Sequence, residues 1–172
     1  MEAGDAGGWG QSGVTAASIA GMLNAEGARY LVIGGIACIL HGHVRATTDL
    51  DILIERTPEN AARVLAALER VGYGFAREWL PEEILRKPVT LIGDDPAVDI
   101  FTVAWSVRYE DAVARSELMG VEGVAIPVIG LEDLIATKRT PRGKDAEDVR
   151  VLEEILRLRG AVAAGSRAPR VD

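Results

Sequence analysis

Apolar and polar positions along the chain alternate between two spacings. Residues 14–25 repeat at helical spacing, with Thr15 placed to cap the first turn and Gly27 beyond the end. Tyr30–Ile33 is a short apolar run of strand length that ends in Gly34-Gly35, and residues 36–41 resume as a helix leaving that glycine turn. Leu50–Ile54 predicts a second strand. Pro58–Val71 is the plainest helix: Thr57 caps it, Pro58 fits its first turn, and Ala61, Val64, Leu65, Leu68 and Val71 fall on one face. Further on, Val89–Ile92 and residues 98–103 read as strands around Gly93-Asp94-Asp95-Pro96, a turn composition that predicts an antiparallel hairpin. Residues 105–116 predict a helix and Val124–Val128 a strand. Residues 131–138 and 145–159 predict two helices, broken at Thr140-Pro141-Arg142-Gly143. The order α-β-α-β-α-β-β-α-β-α-α predicts an α/β (α+β) fold, a mixed β-sheet with helices packed on it.

Residues 1–13 hold five glycines and no aliphatic run, and residues 160–172 look similar. Both predict flexible tails, leaving one domain at 14–159. No apolar run approaches the roughly 20 residues that span a bilayer, and the N-terminus lacks the marks of a signal peptide. The single cysteine, Cys38, allows no internal disulfide and reads as a small buried residue behind the glycine turn. A cytoplasmic protein that does not touch membranes is the expectation. The formal net charge of −7 argues against indiscriminate nucleic-acid binding, but Lys138, Arg139, Arg142 and Lys144 form a local basic cluster.

The chemistry concentrates at Asp49-Leu50-Asp51. Residues i and i+2 of a strand point to one face, so Asp49 and Asp51 stand together where the second strand begins. Carboxylates fixed that close repel, and a hard divalent cation with oxygen ligands is the usual compensation. Asp99, an acid between strong strand formers, supplies a third carboxylate that is costly to bury without a partner. Together the three predict a site for one or two Mg²⁺ ions beside a glycine turn, which points to phosphate chemistry. Two histidines and one cysteine are too few for a zinc site. His41 reads as a backbone partner steadying the loop that carries Arg45 and Thr47.

The ordered set Gly34, Gly35, Ala37, His41, Gly42, Arg45, Thr47, Asp49, Leu50, Asp51, followed later by Asp99, resembles the DNA polymerase β-like nucleotidyltransferases. It looks most like their small prokaryotic branch, related to abortive-infection nucleotidyltransferase toxins. The resemblance runs from about Val14 to Leu158 and implies a minimal nucleotidyltransferase fold. It departs from the superfamily at Gly35, where many members have a serine that helps bind phosphate; here backbone N–H groups must serve. The resemblance further implies Asp49, Asp51 and Asp99 as catalytic metal ligands for two Mg²⁺ ions. Gly34, Gly35, Arg45, Thr47, Lys138 and Lys144 are implied as contacts to a nucleoside triphosphate (NTP), and Asp145 as part of a recurrent Lys-Asp pair.

The activity so implied is transfer of a nucleoside monophosphate to RNA, tRNA or protein, toxin-like, with an antitoxin as partner protein. An antibiotic- or other small-molecule adenylyltransferase is the alternative within enzymes. A non-catalytic nucleotide- or partner-binding module is the alternative outside them. Trp79, Trp105, Phe101 and Tyr30 read as core or rim residues, and nothing in their spacing selects one to stack on a base.

Overall fold

The computed structural model describes residues 13–93 and 95–166. The helices are α1 (Ala16–Ala25), α2 (Gly34–Leu40), α3 (Pro58–Val71), α4 (Pro81–Leu85), α5 (Tyr109–Ala112), α6 (Leu131–Thr137) and α7 (Gly143–Gly165). The strands are β1 (Tyr30–Ile33), β2 (Leu50–Ile54), β3 (Val89–Ile92), β4 (Val98–Phe101), β5 (Glu117–Val121) and β6 (Val124–Val128). They form one six-stranded mixed sheet in the order β3-β4-β2-β1-β6-β5. The α+β architecture expected from the sequence is the one observed.

The centre of the sheet is apolar on both faces. Every residue of β1 is buried, and in β2 only Asp51 is not. Both strands are therefore covered on each side, and each fully buried aliphatic side chain contributes about 1.5–3 kcal/mol. Helix α1 opens with a reciprocal cap: Thr15 Oγ1 accepts from Ser18 N at 3.1 Å, and Ser18 Oγ accepts from Thr15 N at 2.8 Å. Helix α3 is tied to the sheet by Asn60, 1% exposed. Its Oδ1 accepts from Arg29 N at 2.7 Å, and its Nδ2 donates to the carbonyls of Arg29 and Glu55 at 2.9 and 3.0 Å. One amide thus satisfies three backbone groups at the ends of β1 and β2.

Several boundaries differ from the sequence expectations. The helix expected over 105–116 is instead a tight turn, the single-turn helix α5 and a 3₁₀ turn at Val113–Arg115. The β5–β6 hairpin was not anticipated on its β5 side. An edge strand whose residues are all exposed or half-buried has no apolar alternation to read. Helix α7 continues past Arg159 to Gly165, so residues 160–165 of the expected tail are helical. The β3–β4 hairpin is present, although Asp94 of its turn, residues 1–12 of the N-terminal tail and residues 167–172 lie outside the described residues. No described helix is long and apolar enough to cross a membrane.

Candidate active site

Strands β2 and β4 run parallel with Asp51 opposite Asp99. Register partners on neighbouring strands share a face, so both carboxyl groups stand on the same side of the sheet. Asp49 directly precedes β2 and is exposed, its Oδ1 accepting a hydrogen bond from Thr48 Oγ1 at 3.0 Å. On the next strand over, β1 ends opposite Asp51 and turns into α2 at Gly34. Gly34 has φ 63°, and a Cβ there would sit 1.8 Å from Asp51 Oδ2. Only glycine satisfies both the left-handed backbone and that approach. A Cβ on Gly35 would sit 2.7 Å from Thr47 Oγ1, so the second glycine makes room for Thr47.

These acids are electrostatically uncompensated. Burial, and then the charges of Asp99 and Asp49, raise the Asp51 carboxyl to about 7, with Lys138 pulling in the other direction. Burial and the Asp49 charge likewise raise Asp99, whose Oδ1 is buried without a hydrogen-bond partner. An orphaned carboxylate oxygen is rare enough in folded proteins to call for a cause. Among the described residues, however, no three or more His, Cys, Asp and Glu side chains are gathered as a ready metal-binding group. The donor set still has the chemistry of a hard-cation site: oxygen ligands only, an unpartnered buried oxygen, and glycine where a side chain would intrude.

A second cluster lies nearby, at the junction of α6 and α7. Asp148, 5% exposed, accepts from Arg45 Nη1 at 2.6 Å and Lys138 Nζ at 3.1 Å, and its Oδ1 lies 2.9 Å from His43 Nε2. Burial alone would raise its pKa, but the hydrogen bonds and charge of Lys138, then Arg45 and His43, outweigh that and hold it below the ordinary carboxylate value. Lys138 Nζ also lies 3.7 Å from Asp145 Oδ1, and Thr140 Oγ1 donates to Asp145 Oδ2. His41 donates from Nε2 to Ile129 O at 2.7 Å, the backbone role expected of it.

Gly34, Asp51 and Lys138 line a cleft of about 320 Å³, joined by Phe101, Trp105 and Arg142. Its size is that of a small-ligand pocket. Trp105 adopts φ 56°, a conformation that costs a bulky residue about 1–3 kcal/mol. Of the residues expected to contact a nucleotide, Gly34 and Lys138 line the cleft with Asp51, while Gly35 and Thr47 pack against each other behind Gly34. Arg45 is directed to Asp148, and Lys144 is exposed at the start of α7. Asp148 and Trp105 were not singled out by sequence. The i, i+3 spacing of Asp145 and Asp148 on one helix was the available signal for the first.

A family profile described as aminoglycoside-2''-adenylyltransferase matches residues 16–153, most of the chain and all of the site. The chain belongs to that family. It is a family of the nucleotidyltransferase type, in keeping with the superfamily resemblance, and the match does not extend to the toxin branch in particular. Among curated proteins none matches the chain. The matched residues include the glycine turn, the paired aspartates and the α6–α7 junction.

Proposed function

We propose that the protein transfers a nucleoside monophosphate, adenylate first among them, from an NTP to a hydroxyl of a small aminoglycoside-like acceptor and releases pyrophosphate. The observation that carries the reading is the Asp51–Asp99 register pair, with Asp51 against Gly34, in a family of adenylyltransferases. The family match favours this small-molecule acceptor over RNA, tRNA or protein and over an antitoxin partner.

Asp51 and Asp99, with Asp49, would hold Mg²⁺, two ions in the full site. The bound metal would neutralise phosphate charge and lower the pKa of the acceptor hydroxyl. Gly34 brings the backbone to the cleft, where a phosphate would lie, and Lys138 adds a positive charge at the same cleft. As the acceptor oxygen bonds to the α-phosphorus and the bond to the β-phosphate oxygen breaks, the hydroxyl proton would pass to a carboxylate of this set. Catalysis on this reading is positioning and charge neutralisation, with no covalent enzyme intermediate.

The test is incubation of the purified protein with each α-labelled NTP, Mg²⁺ and a panel of aminoglycosides, beside total RNA and a protein extract. Label on an aminoglycoside is the expected result. Label on RNA or protein would return the toxin-like acceptor, and NTP binding without transfer to anything would leave a binding module.

A further inference from the structure

Trp105 lies just past β4, at the edge of the cleft. Ala104 N donates to Val107 O at 2.9 Å and Val107 N to Ala104 O at 3.0 Å, closing a turn over Trp105 and Ser106. The turn puts Trp105 at φ 56°, a conformation that glycine or asparagine takes at little cost. Tryptophan is a poor choice there, and 59% of it is in solvent. Neither folding nor solubility accounts for the residue. The position does give the cleft a broad aromatic face, beside Phe101 and along from Gly34 and Asp51.

Resting on the nucleotidyl-transfer reading above, we propose that Trp105 is the platform on which the nucleobase of the NTP stacks. Flat, exposed aromatic rings take up bases of any sequence because every base offers a π-face. Charge argues for the base over the acceptor. The same cleft contains Lys138 and Arg142, and Arg142 has no acidic partner among the described residues. Arg142 is left to meet a triphosphate, whereas Lys138 is already shared with Asp145 and Asp148. Asp145, the other acid of the cleft besides Asp51, is already engaged by Lys138 and Thr140.

Calorimetric titration of ATP, of inorganic tripolyphosphate and of kanamycin, each with Mg²⁺, tests this on the parent, Trp105→Gly and Trp105→Phe. Glycine relieves the backbone, so Trp105→Gly should melt no lower than the parent. It should bind ATP about tenfold or more weakly, while Trp105→Phe keeps ATP binding within about threefold. Tripolyphosphate and kanamycin should bind all three proteins alike. Equal losses for ATP and tripolyphosphate, undiminished ATP binding in Trp105→Gly, or a loss confined to kanamycin would each overturn the platform. A parent that binds tripolyphosphate as tightly as ATP would remove the stack and spare the phosphate site. A parent that binds neither would remove the nucleotidyl-transfer reading along with it.

Discussion

Asp51 is half-buried and Asp148 buried, and both feel the charge of Lys138, yet they end in opposite states. Asp148 is surrounded by Arg45, His43 and Lys138 and keeps its charge at unusually low pH. Asp51 faces two further carboxylates and has Lys138 alone to offset them, so its proton is held to about pH 7. Most of the nearby positive charge is thus committed to a helix junction, while the carboxylates at the cleft stay under-neutralised. A buried acid with matched partners is a structural tie. A half-buried acid without them keeps a raised pKa, which a cation from solution would relieve.

The comparison breaks most visibly at Asp51. Asp51→Asn removes one charge from a repelling set and should leave folding intact or improved. Transfer should fall roughly a thousandfold, because a bound metal is worth several kcal/mol of transition-state stabilisation. Single-turnover label transfer and a thermal melt measure both; parental turnover would strip Asp51 of its role. Asp148→Asn should do the reverse. It strands Arg45, His43 and Lys138 around a neutral amide, and loss of one partner from a buried ion cluster costs about 3 kcal/mol. Urea denaturation would show this, and a variant as stable as the parent would mean that the cluster holds nothing together.

pH separates the two acids next. The folded state raises Asp51, so its contribution to stability is fully present below the ordinary carboxylate pKa and is lost as pH rises through about 7. Asp148 is lowered, so its contribution is present above the ordinary value and is lost as pH falls through the folded one. Metal-free protein should therefore lose stability between about pH 4 and pH 7. That loss should be smaller in Asp51→Asn, and Mg²⁺ should reverse it at the upper end by mass action. A profile identical in parent and variant would show that Asp51 carries no such load. The smallest effect belongs to Lys144, exposed and without an acidic partner among the described residues. Lys144→Ala should shift stability by less than about 0.5 kcal/mol. Any weakening of NTP binding should fade as salt is added.

The two acids also differ in how they could be read from sequence. Asp51 follows an apolar run and a glycine pair, and Asp99 interrupts a strand; local pattern alone sets both apart. Asp148 sits in a helix rich in charge, where only its i, i+3 spacing from Asp145 hints at the two buried acids among the solvated ones around them. Its burial comes from Arg45 and His43, more than a hundred residues away along the chain. The same limit hid Trp105. The polar, apolar and acidic residues after it have helical spacing, but the Ala104–Val107 bridge turns the chain before a helix can form. Strands β1 and β2 and helix α3 were legible because each buries a face whose period is written in its own residues. Strand β5 was not, since an exposed edge has no such face.

Asn60 lies at the far end of the β1–β2 pair from Asp51, and its effect reaches the whole length of that pair. By holding Arg29 and Glu55 it sets Tyr30 against Ile54, and from that pairing Ile33 meets Asp51. A slip of one residue would turn every side chain of β2 to the opposite face, pushing the carboxyl among isoleucines and aiming a leucine or isoleucine at the cleft. A lesion at this amide would reach the assay as a chemical defect, with every residue of the candidate cleft still spelled correctly in the sequence.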